Sequence, residues 1–297
     1  MTGIAIVTRG LTLEVEELAA RLLALRSPDP ETEVVIVAED ATTAAPTDRE
    51  LLRPRTYLVR LPAGRGLGFD RNRAVDAVRG DVIVFVDDDC WPTDTWLTEL
   101  LSPLSDPAID AVMSEVRIPP STFLGDSISA LGFPGGGNAG FAVMFHVDED
   151  GLTEHLSTLG CALRRSVFER LGGFDETMTF GGEDGELSHR MCSAGMRMRF
   201  QPTAVIEHAA RSNLVGFARW FFRRGRAARQ FSRRVPAGRR IGQRLASYRR
   251  IVANNLKDPK IVAIVPLLVA GVVLQQSGFA WEALRERSVP TRPDAAA

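Results

Sequence analysis

The sequence is poor in cysteine: Cys90, Cys161 and Cys192 are widely spaced among 297 residues, and no C-x-x-C pair is present. An odd, scattered set excludes a disulfide framework and a structural zinc site, and it suits a reducing cytoplasm. Histidine is scarce too, and His146, His155 and His189 have no metal-ligand spacing to one another or to a cysteine. Residues 3–7 are apolar but far too short for a secretory signal, and no charged region precedes them, so the start reads as mature and folded. There is no internal repeat. No G-x-G-x-x-G follows a strand: Gly64-Arg65-Gly66-Leu67-Gly68 has the wrong spacing, and Gly135-Gly136-Gly137 also lacks the preceding strand. The longest apolar run, 14 residues over 261–274, falls short of the about 20 that a spanning helix requires.

What remains is an ordinary globular mixture, 45% hydrophobic and 25% charged, which excludes a disordered, collagen-like or polytopic membrane chain. The length allows one large domain with an appendage, or two domains. The formal net charge of −1 conceals two opposed blocks. Residues 1–207 hold 18 basic and 33 acidic side chains, net −15, whereas residues 208–260 hold 15 basic and 1 acidic, net +14.

The acidic part alternates short apolar runs with helical patterns. Residues 4–7, 34–37, 57–59 and 82–86 read as strands; 13–25 and 70–78 read as helices. Continuous apolar strands between helices predict an α/β fold with a mostly parallel sheet covered on both faces, and ligands at the carboxyl ends of its strands. Residues 119–140, rich in proline and glycine, read as a long surface loop. Strand patterns return at 141–145 and 159–163, and a short helix at 167–171.

Two acidic clusters carry candidate chemistry. Asp87-Asp88-Asp89 directly follows the strongest strand, where adjacent carboxylates repel unless something gathers them. A hard divalent cation does so, although a solvated turn or a helix start at Pro92-Thr93 is the plainer alternative. Gly182-Glu183-Asp184 sets acids on a tight turn before a helix, which suits either a general base or the favourable helix dipole. His208 ends an apolar stretch and is either a third ligand or a histidine satisfied at a strand end.

In order and spacing these pieces resemble the family 2 glycosyltransferases, enzymes of the GT-A fold. The resemblance runs from about residue 4 to 208. Its parts are the 4–7 strand, Val37-Ala38-Glu39-Asp40, Gly68-Phe69-Asp70-Arg71-Asn72, a D-x-D-like Asp87-Asp88-Asp89 with Pro92 nearby, Gly160 to Glu176, the Glu183-Asp184 pair and a closing Pro202 to His208. It implies a metal-dependent transferase that moves a sugar from a nucleotide-sugar donor to an acceptor hydroxyl with inversion. Asp184 would be the general base, Asp89 and His208 would hold Mn²⁺ or Mg²⁺, and Asp40, Arg71, Asp87 and Asp88 would face the donor. Which carboxylates of 87–89 touch metal stays open. A UDP-sugar is the favoured donor, with dTDP- and GDP-sugars as alternatives, and the acceptor is a glycan or lipid-linked. Ala41 stands where the family often continues with acids, Gly and Ser. Only Arg219-Trp220 matches the Q-x-x-R-W element of processive members, so no processive polymerase is implied.

The basic block interleaves Arg219, Arg223, Arg224, Arg226 and Arg229 with Trp220, Phe221, Phe222 and Phe231. It reads as a membrane-surface helix or a polyanion-binding face. The apolar stretch after it reads as interfacial, re-entrant or docked on the catalytic domain. These expectations divide the chain into a GT-A catalytic domain over 1–210, a basic and apolar helical extension over 211–285 and a flexible tail over 286–297. They place the protein in the cytoplasm, peripheral on the inner membrane face, with nucleic acid disfavoured as a partner. Two other readings remain: a catalytically idle GT-A-like module whose basic arm binds a polyanion, and a nucleotidyltransferase.

Overall fold

A computed structural model describes residues 1–27, 29–235 and 237–288; from 289 onward the expected tail lies outside the described residues. Ten strands form one sheet: β1 (Thr2–Thr8), β2 (Glu33–Asp40), β3 (Glu50–Arg53), β4 (Thr56–Pro62), β5 (Val82–Asp87), β6 (Cys90–Pro92), β7 (Ala111–Arg117), β8 (Leu152–Thr153), β9 (Gly160–Arg164) and β10 (Met198–His208). Their order is β3-β4-β2-β1-β5-β9-β7-β10-β6, with β8 on β10. β4, β2, β1 and β5 run parallel, and β9 lies antiparallel between β5 and β7. Ten α-helices flank or extend the sheet: α1 (Leu13–Ala24), α2 (Leu67–Ala77), α3 (Trp96–Leu101), α4 (Phe123–Ser129), α5 (Phe141–Met144), α6 (Arg165–Leu171), α7 (Glu183–Ser193), α8 (Leu214–Phe231), α9 (Ala237–Asn255) and α10 (Ile261–Ser288).

The central strands are apolar throughout because both faces are covered. Ile4, Ile6, Val34, Ile36, Val84 and Val86 point to one core with α1 and α3. Ala5, Val35, Val37, Ile83 and Phe85 point to the other with α2, α6 and α7. That two-residue alternation is the strand pleat.

Two expectations about the middle of the chain are corrected. Residues 141–144 form α5 rather than a strand, because β7 already has β9 and β10 on its edges and no strand position remains beside it. Phe141 instead stacks on Phe200 at 4.8 Å between ring centroids. The stretch 119–140 is not a simple surface loop: it contains α4, and Ile128, Ala130 and Leu131 are buried in a third core with Phe217, Phe221, Ile251 and Ile264 from α8, α9 and α10.

The apolar stretch extends further than its uninterrupted hydrophobic run. α10 is one helix of 28 residues, the single helix among those described that is long and apolar enough to cross a membrane. It lies along α8. The backbones approach so closely at the crossing that a Cβ on Gly225 would sit 2.0 Å from the Gln275 carbonyl oxygen, and one on Gly278 2.0 Å from that of Phe222. Arg226 pairs with Glu282, and Arg229 and Arg233 with Glu286, across the same seam. Arg234 pairs with Asp175, between α6 and α7. Four arginines of the basic block are therefore paired within the fold.

Candidate active site

β5 ends at Asp87, and the chain turns through Asp88 and Asp89 into β6. Cys90 then pairs in register with His208, the last residue of β10. This antiparallel pairing brings a histidine 119 positions distant to the acids. His208 Nε2 lies 3.1 Å from Asp89 Oδ2, and its Nδ1 lies 2.7 Å from the Ala209 carbonyl oxygen. A carbonyl only accepts, so Nδ1 carries a proton, and either a second ring proton or a cation bridges Nε2 and the carboxylate. Burial works against ionising Asp89, but the hydrogen bond and charge of His208, with the charge of Arg211, hold its carboxyl below the usual range.

Ligand atoms of Asp89, Cys90 and His208 lie within 4.8 Å of one another. Cys90 is fully buried, and burial together with three nearby acids pushes its thiol well above the ordinary range. A protonated thiol is a poor ligand, which leaves a carboxylate and an imidazole, a donor set suited to Mn²⁺ or Mg²⁺ completed by other oxygens.

A cavity of about 240 Å³ opens over the strand ends, lined by Arg9, Glu39, Asp70, Arg71, the acids Asp87, Asp88 and Asp89, and Arg223. A second space of about 310 Å³ shares Arg9, Glu39, Gly66 and Arg223 with it, and adds Phe180, Phe222 and Arg226. Four of the residues expected at the donor and metal positions therefore share one cavity: Arg71, Asp87, Asp88 and Asp89. Asp40 is not among them. Its carboxylate accepts hydrogen bonds from the backbone N–H and hydroxyl of Thr42 and pairs with Arg60 at 3.7 Å. Glu39 takes the cavity position instead, because it shares the face of Val35 and Val37 that looks toward α2. Strand alternation from Val37 was the signal that distinguishes the two acids.

Asp70 and Arg223 were also missed. Asp70 is 2% exposed, and its Oδ1 has no hydrogen-bond partner. Burial, together with the charge of neighbouring Glu39, pushes its pKa to about 7 despite Arg71 and Arg9. Arg223 reaches the cavity from α8 and donates to the Phe180 carbonyl oxygen at 3.2 Å. No spacing rule in the sequence links a residue after His208 to a pocket at the end of β1.

Arg71 is buried and joins the two acidic clusters. One of its nitrogens bonds Glu183, and Nη2 donates to Asp87 Oδ1 at 3.0 Å. The charges of Glu183 and Asp87 outweigh the cost of its burial and keep the guanidinium charged. Beside it, Asn72 donates to the Phe174 carbonyl oxygen at 3.0 Å and accepts from the Phe174 N–H at 2.8 Å. α2 thereby clamps the Gly172-Gly173-Phe174 turn that leads to the second cluster. Gly182, at φ 88°, caps α7 in a left-handed conformation that suits glycine, and Glu183 and Asp184 open the helix. Burial pushes both carboxyls above their ordinary range, against the pull of Arg71. Asp184 Oδ1 accepts from the Gly185 N–H at 2.7 Å. A half-buried acid of raised proton affinity, held at a helix start, can take a proton from an incoming hydroxyl.

The sheet and its flanking helices have the GT-A fold, and comparison with known proteins gives the family. Residues 9–172 match the family described as "Glycosyl transferase family 2". The chain belongs to that family. It is 30% identical over 176 residues to the pre-mycofactocin glycosyltransferase of Mycobacterium tuberculosis, a match covering 56% of this chain and 35% of the relative. It is 31% identical over 151 residues to the O-antigen biosynthesis protein RfbC of Myxococcus xanthus, covering 48% and 12%. The matches thus span about a third of the first relative and less of the second. Among solved structures, the mannosyltransferase PcManGT of Pyrobaculum calidifontis, in complex with GDP-Man and Mn²⁺, superposes with a TM-score of 0.54 at 18% identity, over 97% of this chain and 76% of that one. S. aureus TarS, in complex with UDP-GlcNAc, gives 0.54 at 16% identity over 100% and 95%. At such identities the superpositions speak for the fold.

Proposed function

We propose that this glycosyltransferase is metal-dependent and inverting, and that it moves a sugar from a nucleotide-sugar donor to the hydroxyl of a glycan or lipid-linked acceptor. The observation that carries this reading is the cavity at the strand ends, which gathers Arg71 and the acids of 87–89, with His208 against Asp89 and with Glu183, next to Asp184, bonded to the same arginine. Asp89 and His208 would hold the divalent cation, which when bound neutralises the charge of the departing diphosphate. Asp87 and Asp88 face the donor, and Arg71 fixes Asp87 for that task. Glu39 and Asp70 replace Asp40 as the acids facing the nucleoside, and Arg9 and Arg223 add positive charge for the phosphates.

Asp184 accepts the proton from the acceptor hydroxyl as that oxygen bonds to the anomeric carbon and the bond to the diphosphate oxygen breaks. A single displacement with one base inverts the anomeric centre. Arg71 also keeps the buried Glu183 and the half-buried Asp87 charge-compensated while this happens.

Peripheral contact with an anionic membrane on its cytoplasmic face is part of the same reading. The outer face of α10 exposes Val262, Val265, Val269, Val273, Trp281 and Leu284, an apolar stripe beside the remaining arginines of the extension. The arginines paired inside the fold count against the alternative of a polyanion-binding module.

A thermal-shift screen of nucleotide sugars with and without Mn²⁺ tests the donor and the metal, since a ligand that binds only the native state raises its melting temperature. A shift for one nucleotide class that needs Mn²⁺ is expected, and product NMR should show inversion. No shift with any donor in Mn²⁺ or Mg²⁺ overturns the proposal.

A further inference from the structure

Between α6 and α7 the chain forms neither strand nor helix, so no ladder of backbone bonds fixes its path. The segment ends in Gly181-Gly182, at φ 107° and 88°, and passes directly into Glu183 and Asp184. A Cβ on Gly181 would meet nothing within 4 Å, so this turn by itself does little to hold the start of α7.

One side of α8 supplies the fixings that the backbone lacks. Arg223, Arg226 and Gln230, with Arg234 in the turn after the helix, are spaced by three, four and four residues and share a face. Arg223 Nε donates to the Phe180 carbonyl oxygen at 3.2 Å, and the Arg226 guanidinium lies 3.7 Å from the centroid of the Phe180 ring. Gln230 donates to the Thr179 hydroxyl at 3.3 Å, and Arg234 bonds Asp175 and Thr177. Helix and segment therefore run antiparallel, matched contact by contact. α2 closes the other side: a Cβ on Gly66 would stand 2.8 Å from the Thr179 Cα, and one on Gly68 2.8 Å from the Asp175 carbonyl oxygen.

Arg226 is itself anchored. Its Nε donates to Glu282 Oε2 at 2.7 Å, and Glu282, on α10, is buried. A guanidinium stacked on a ring and tied to a buried carboxylate has little freedom to shift. A proton acceptor needs such support, because a misplacement of about 1 Å caused far from the chemistry can cost about 100-fold in rate.

We propose that Arg226, held by Glu282, is a positioning residue for the proton transfer to Asp184. With Gln230 and Arg234 it fixes residues 175–180, and the two glycines carry that fixed point to the start of α7. Arg226 acts through Phe180 rather than on the reacting atoms. This inference rests on the reading of Asp184 as the base.

The test uses the full chain in two measurements. Hydrogen exchange, which needs no substrate, compares wild type with Arg226→Gln: amides over 181–187 should exchange about tenfold faster while those of β1 and β5 keep their rates. Hydrolysis of the nucleotide sugar that gives the thermal shift, with water in place of the acceptor hydroxyl, is followed by release of nucleoside diphosphate. Arg226→Gln should lower kcat at least about tenfold with the donor KM changed by less than about twofold, and Arg226→Lys should recover part of the loss. Glu282→Gln, remote from the cavity, should reproduce part of it, and it is read should Arg226→Gln not fold. Unchanged exchange over 181–187, faster exchange across the whole sheet, or a loss confined to KM overturns the inference. A wild type that binds or turns over no nucleotide sugar strikes the proposed function and the base role with it, whereas failure in exchange alone strikes only the positioning.

Discussion

Asp70 offers a perturbation whose sign and size follow from its surroundings. It is buried beside Glu39, and its pKa is raised from 3.8 to about 7 in the folded chain. A carboxyl with raised folded pKa binds its proton more tightly in the native state, so native stability falls as pH climbs from about 4 to about 7. The full penalty, about 4 kcal/mol from 1.36 kcal/mol per pH unit, is present by pH 8. Asp70→Asn removes the ionisation but keeps the shape, and its amide N–H can donate to Glu39. The variant should exceed the wild type in stability by about 4 kcal/mol at pH 8 and by about 1.5 kcal/mol at pH 5. Urea unfolding at the two pH values, with unchanged m-values, measures the difference, because other titrating groups cancel between the two proteins. A stability gain that is the same at pH 5 and pH 8, or a loss at pH 8, refutes the assignment of Asp70 as the titrating group. The variant should also bind nucleotide more weakly if Asp70 faces the nucleoside, and this separates its site role from its cost.

Asp184→Asn should lower transfer about 10²- to 10⁴-fold while nucleotide binding with Mn²⁺ is retained, measured by product formation and calorimetry. His208→Ala should lose the Mn²⁺-dependent part of the nucleotide thermal shift and keep the metal-independent part. Arg71→Met leaves buried Glu183 uncompensated in the interior and should destabilise the fold by about 3–5 kcal/mol in urea unfolding. Gly278→Leu should force α8 and α10 apart and lower the melting temperature, at a cost of about 1–3 kcal/mol. Replacing Val269, Val273 and Trp281 with serine should reduce sedimentation with phosphatidylglycerol vesicles and leave nucleotide binding intact.

The sheet was legible because its strands are short, apolar and separated by helix-patterned segments, and β1, β2, β4, β5 and β9 fall where the apolar runs put them. The acidic turn after β5 was legible for a different reason: three adjacent carboxylates repel one another, and they stand directly at the end of the most apolar strand. What the sequence concealed was mostly long-range. Adjacent acids such as Glu39 and Asp40 look alike until the pleat gives each a face. Residues 141–145 carry apolar side chains suited to a strand, but whether a sheet edge is open depends on partners far away in the chain. The arginines after His208 look like one basic surface in a linear reading. In three dimensions they divide among Glu282 and Glu286, Asp175, the Phe180 carbonyl and the Trp220 ring.

The glycine crossing of α8 and α10 has a mechanical consequence. Two backbones in contact at Gly225 and Gly278 have little side-chain cushion between them, so a load applied to the outer face of α10 passes to α8 with little damping. α8 carries Arg223, which lines the cavity at the strand ends. The pair is thus a lever arm with its handle at the apolar stripe and its tip at the chemistry, and a chain cut after residue 210 would lose the tip along with the handle.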